Sequence, residues 1–162
     1  MKRLFIIRHA KSDRGPQYRT DFERPLNQRG RNDAGRMSEE LKKATHSLDH
    51  ILVSPAKRTS QTAEYFINAF NLDTSKTTYT KALYLPQEKD VWHEVSKVDN
   101  SHDTIAVFTH NPAAEELFHR YHAGEKLPTC SIIELHYDGE DWKNISPEST
   151  RFIAYKYPKM YD

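Results

Sequence analysis

Five glycines are scattered through the 162 residues and none falls in a G-x-G pattern, so no glycine-rich loop is present to wrap the phosphates of a nucleotide. A single cysteine, Cys130, excludes an internal disulfide and suits a reducing compartment. Neither sign of charge is in excess: 24 lysines and arginines face 23 aspartates and glutamates, for a net charge of +1. No electrostatic field therefore favours nucleic acid or an anionic membrane as partner. Long hydrophobic runs are missing too. The opening "MKRLFII" begins like a secretion signal, but Arg8 ends its apolar run after four residues, and nothing later approaches a membrane span. The expectation is a soluble cytoplasmic protein with one domain, residues 1–162, around one core.

Apolar residues make up 36% of the chain, and they cluster in short runs. "RLFII" (3–7) and "HILV" (50–53) read as buried strands, "TYTKALYL" (78–85) as a third strand and "TIAVFT" (104–109) as a fourth. Helical spacing lies between them. Ala34, Met37 and Leu41 share one face; Ala56, Thr59, Ala63, Phe66, Ile67 and Phe70 share another; Val91, Trp92, Val95 and Val98 a third. Ser54-Pro55 and Asn111-Pro112 read as a cap followed by the first helical position. "CSIIELHY", an Asp138-Gly139 turn and "RFIAYKY" read as a closing hairpin. Strand and helix in alternation predict an α/β three-layer sandwich with a mostly parallel central sheet, the first strand near its centre and an antiparallel edge.

In such sheets, ligands bind beyond the carboxyl ends of the strands. Three strand ends carry chemistry: Arg8-His9, Ser54-Pro55 with Arg58 one turn further on, and His110-Asn111-Pro112. If those strands are neighbours, two arginines and two histidines meet. Two guanidiniums in one cleft repel unless an anion lies between them, and their planar forks suit phosphate oxygens. Within a phosphate site a neutral imidazole can attack phosphorus, and a second, protonated one can stabilise the transferring oxygens. Singly, each of these residues would read as a solvated side chain or an ion-pair partner; only their convergence points to catalysis.

"IIRHAKSD", "SPAKRTSQTAEYF" and "FTHNPAAEEL", with "DFERPLNQRGRNDA" (21–34) between the first two, resemble the histidine phosphatase superfamily, the phosphoglycerate mutase-like fold, and within it the branch of SixA-type phosphohistidine phosphatases. The resemblance runs through essentially the whole chain. It implies that His9 is the nucleophile, that Arg8, Arg58 and His110 bind the phosphoryl group, and that no cofactor or metal is needed. Arg24 is a further candidate phosphate ligand, and Lys11, Arg14 and Arg19 are candidate rim cations. Ala10 and Thr109 stand where the family often has glycine. Glu88 lies where many members carry the general acid, with Asp90 its rival or no acid at all. The implied substrate is a phosphohistidine on a phosphocarrier or signalling protein, met by a monomer through a shallow, open site. A phosphatase of small phosphomonoesters is the alternative, as is an idle module that binds phosphorylated partners. A weakly defined acid favours the phosphohistidine, whose imidazole leaves with less help than an alkoxide. His46/His50 and His119/His122 have helical ligand spacing, but their polar flanks and the lack of a third ligand favour a solvated face.

Overall fold

The structure is a computed structural model that describes residues 1–162. Six strands form one sheet: β1 (Lys2–Arg8), β2 (His50–Val53), β3 (Thr77–Tyr79), β4 (Thr104–Thr109), β5 (Ile132–Tyr137) and β6 (Thr150–Lys156). Their order is β3-β2-β4-β1-β5-β6. The first four run parallel, and β5 and β6 add an antiparallel side. Four helices, α1 (Gln28–Ala44), α2 (Lys57–Phe70), α3 (Glu88–Ser96) and α4 (Ala113–His119), cover the two faces. None is long and apolar enough to cross a membrane.

Strand pleating divides the core in two, because successive side chains point to opposite faces. Leu4 and Ile6 join Ile105, Val107, Val91, Val95 and Leu117 beneath α3 and α4. Phe5 and Ile7 join Ala106, Phe108, Met37, Leu41, Ala63 and Phe66 beneath α1 and α2. The continuous apolar reading of β1 and β4 is thus that of strands buried on both sides. At α1 the predicted stripe holds, with Ala34, Met37 and Leu41 buried. Asn27 caps it by accepting from Gly30 N at 2.8 Å. Gly30 itself is required, since a Cβ there would stand 2.0 Å from Lys11 O. That close approach locks the "DFERPLNQRG" segment against the loop after β1, as do the Asn27 N to Lys11 O bond at 3.0 Å and the bridge between Ser12 and Leu26.

Several expected boundaries differ. The third strand is short: it ends at Tyr79, and residues Lys81–Leu83 form a 3-10 turn whose N-cap Thr80 accepts from Ala82 N at 3.3 Å. That hydroxyl competes with continued pairing. Ser54 does not cap α2, because its hydroxyl is engaged by His110 and the helix begins at Lys57 after Ala56. Nor does Asn111 cap α4, which begins at Ala113 with Pro112 in the cap position. The closing strands pair, but Asp138-Gly139 is not a tight turn; residues 138–149 connect them through 3-10 turns at Trp142–Asn144 and Pro147–Ser149. His46 lies in a loop and His50 on β2, so their spacing places no pair on a helix.

Candidate active site

The strand order explains the convergence. After β1 the chain moves outward to β2 and β3, then returns to insert β4 between β1 and β2. The ends of β2, β4 and β1 therefore stand side by side, Arg8 in register with Thr109 and Val53 with Phe108. Backbone bonds anchor the residues just past the strand ends: His9 N to Thr109 O at 3.1 Å, Ser54 N to Phe108 O at 3.1 Å and Cys130 N to His9 O at 3.0 Å. Thr62 on α2 adds a clamp, its hydroxyl accepting from Ala10 N at 2.9 Å while donating to Arg58 O at 2.7 Å. Ala10 fits where the family often has glycine because its methyl group is wholly buried in the core under α1 and α2.

Arg58, buried at 2% exposure, stands between the two imidazoles. Its Nε donates to His9 Nε2 at 3.2 Å and its Nη2 to His110 Nδ1 at 3.2 Å. A guanidinium can only donate, so both of those ring atoms carry lone pairs. The protons then sit on the opposite nitrogens, and each has an acceptor. His9 Nδ1 donates to Ala10 O at 2.7 Å. His110 Nε2 donates to the hydroxyls of Ser54 and Thr59, at 2.7 and 3.0 Å. Both rings are held neutral. Burial, with His110, Arg58 and Arg8 nearby, pushes His9 well below the ordinary histidine value. Burial and the Arg58 charge lower His110 to about 3. Beside Arg58 His110 is neutral, so the protonated second histidine expected for the transfer step requires an anion that raises its affinity for a proton.

Arg8 donates to Leu127 O at 2.8 Å, and its Nε is buried without a partner. Arg24 also reaches the site, its Nη1 donating to Ser12 Oγ at 2.7 Å. These groups line a cleft of about 220 Å³ with Lys11, Arg14, Asn111 and Thr129. Arg19 does not line it. Five cations face a single carboxylate, Asp21, which the sequence reading missed. Asp21 Oδ2 accepts from Arg58 Nη2 at 2.9 Å and from the Tyr84 hydroxyl at 2.7 Å, while Oδ1 accepts from Arg24 Nη2 at 2.9 Å. Hydrogen bonds from Tyr84, Arg24 and Arg58 outweigh its partial burial and hold it below the usual carboxylate range. Its place three residues before Arg24 was a visible ion-pair signal, but nothing in the sequence tied it to Arg58.

Glu88 is not brought to the cleft. Its carboxylate accepts from Trp92 Nε1 at 2.8 Å and from Arg120 Nε at 2.5 Å. Asp90 is spent on the helix start, accepting from Gln87 N at 2.9 Å. Neither carboxyl lines the site. Thr109, the other departure from glycine, donates its hydroxyl to Leu83 O at 2.9 Å, anchoring the β3–α3 connection to the end of β4.

The branch 1 sequence profile of the histidine phosphatase superfamily matches residues 4–81 of this chain. That stretch contains Arg8, His9, Asp21, Arg24 and Arg58. The uncharacterised protein Rv1276c of Mycobacterium tuberculosis is 27% identical over 165 residues, 94% of this chain and all of its own length. The fold matches that of the protein histidine phosphatase SixA complexed with tungstate, with a TM-score of 0.81 at 22% identity over 99% of each chain. A candidate phosphohistidine phosphatase SixA from Agrobacterium tumefaciens matches with a TM-score of 0.81 at 22% identity, over 97% of this chain and 98% of its own. The profile match and the shared fold thus agree on a likeness to this superfamily of phosphatases.

Proposed function

We propose that the protein removes phosphate from phosphohistidine on a protein substrate, through a phosphohistidine intermediate on His9. The observation that carries this reading is the fixed tautomer of His9: its Nδ1 donates to Ala10 O, which leaves the lone pair on Nε2, where it accepts from Arg58 Nε until a phosphoryl group draws that guanidinium to its oxygens. A neutral imidazole nitrogen is a competent nucleophile toward phosphorus without prior loss of a proton.

The phosphoryl oxygens take the place between the guanidiniums of Arg8 and Arg58, with Arg24 at the rim. His9 Nε2 attacks phosphorus, the bond to the leaving group breaks, and its electron pair departs with that group. The phosphorylated ring keeps its Nδ1 proton on Ala10 O, so it bears the positive charge that makes it a good leaving group for water in the second step. His110 orients Arg58 through Nδ1; once the arriving dianion has raised its affinity for a proton, Nδ1 takes one from solvent and donates it in a hydrogen bond to a phosphoryl oxygen. Arg8, Arg58 and Arg24 supply the positive charge that phosphoryl transfer demands, so the reaction needs no metal ion.

The substrate class follows from the leaving group. An alkoxide must be protonated as it departs, and the one carboxyl lining the cleft, Asp21, is held ionised by four donor groups. An imidazole needs no such donor. The SixA-like fold supports the same class. Turnover of a phosphohistidine peptide measured against a panel of sugar phosphates tests the reading: a clear preference for the peptide is expected, and a preference for sugar phosphates overturns it in favour of small monoesters.

A further inference from the structure

Leu85 is the one hydrophobic residue lining the cleft. Half of its surface is exposed, at 51%, and its backbone lies in the left-handed region with φ 46°, which is sterically disfavoured for a branched side chain. Its neighbours hold it there. Leu83 is buried and accepts from the Thr109 hydroxyl. Tyr84 stands edge-on to both His110 and Phe22, at 5.4 and 5.1 Å between centroids, and donates to Asp21. These contacts hold it so against Pro86, which favours an extended backbone for the residue before it. This is the connection on which an acid for an ester leaving group is expected, and its carboxyls, Glu88 and Asp90, are turned to other partners. Backbone strain that presents a side chain to a reaction cleft is a mark of function.

We propose that Leu85 is a specificity-determining residue that packs its isobutyl group against the flat imidazole ring of the departing phosphohistidine. The inference rests on the phosphohistidine reading and adds to it the wall that recognises the ring. The ring enters with a solvent-derived proton on the nitrogen that does not carry phosphorus. Nε2 of His9 bonds to phosphorus, the P–N bond breaks, and its electron pair stays on the ring nitrogen. Neutral imidazole leaves along the apolar surface, with no proton transferred from the enzyme.

The test compares kcat/KM for a phosphohistidine peptide with that for phosphoramidate, which has the same P–N bond and no ring. The selectivity ratio of wild type is expected to exceed that of Leu85→Ala by about tenfold, the discrimination typical of a small apolar contact. Leu85→Gly, which suits the left-handed backbone, is expected to lower the ratio equally. An unchanged ratio in both variants overturns the proposal. So does a loss in Leu85→Ala that Leu85→Gly restores, because the backbone rather than the side chain is then responsible. If wild type turns over phosphoramidate but not the peptide, the phosphohistidine reading falls and this inference falls with it.

Discussion

At the carboxyl ends of the parallel strands, His9 and His110 stand 5.1 Å apart between ring centroids, tilted by 56°. At the amino ends, His50 and His102 stand 5.0 Å apart and nearly parallel, at 18°. The second pair even borders the larger cavity, about 360 Å³ against about 220 Å³. What separates them is the charge around them. Arg58 stands between His9 and His110 and donates to both, with Arg8 and Arg24 alongside. His50 meets only the Thr78 hydroxyl through Nε2, its Nδ1 is buried without a partner, and the one lysine lining its cavity, Lys97, is neutralised by Glu94 at 2.7 Å. Proximity and cavity size are therefore poor guides to an active pair of histidines. A donor that fixes which nitrogen holds the lone pair, and cations that await an anion, are good ones.

The contrast can be tested by substitution, starting where it predicts the greatest loss. His9→Ala removes the nucleophile and should lower turnover of an aryl phosphate by at least about 10³-fold; rates equal to wild type would refute covalent catalysis. Arg58→Ala should cost about 10²- to 10³-fold in kcat/KM and should free the tautomer of His110, whose Nε2 partners are hydroxyls able to donate or accept, while Ala10 O keeps His9 as Nδ1–H. Nitrogen NMR should then show His110 no longer locked as Nε2–H, whereas a locked His110 in the variant would mean that Arg58 does not set it.

The pH dependence of stability is a milder test. A histidine with a lowered folded pKa leaves the unfolded chain binding more protons, so stability rises with pH across the window between the two values. For His110 that window runs from about 3 up to the unfolded value near ~6.5. Its contribution lost between pH 7 and pH 5 is about 2 kcal/mol, and His9 acts in the same direction. Denaturant titrations should show this slope, reduced in His110→Gln; an equal slope in the variant would place the titrating groups elsewhere. The smallest effect is expected at the other end of the sheet. His50→Gln should leave kcat/KM within about twofold, as for a surface change away from the chemistry, and a large loss would erase the distinction between the two pairs.

Much of this was legible in the sequence because it depends on local pattern. The apolar runs of β1 and β4 locate their ends, and the ends locate Arg8, His9 and His110. The arginine at position 58 follows from one helical turn beyond β2. What escaped notice depends on tertiary contact. Asp21 sits on a 3-10 turn with no periodic signal, and its carboxylate gains meaning only from Arg58 and Tyr84, 37 and 63 residues away. Glu88 was placed by its position in the chain, yet Arg120, 32 residues further on, claims its carboxylate. Ser54 and Asn111 have good capping chemistry, but His110 takes the Ser54 hydroxyl and the Asn111 amide donates to Glu115 at 3.3 Å. Leu85 looked like the last residue of a strand; its left-handed backbone leaves no mark in a hydrophobic run.

The most direct test is to quench the protein into alkali within its first turnovers and map phosphate by mass spectrometry. Phosphate on His9, absent in His9→Ala and decaying at the rate of turnover, is the predicted result. Steady turnover with no phosphate on His9, or with phosphate on another residue, would contradict it.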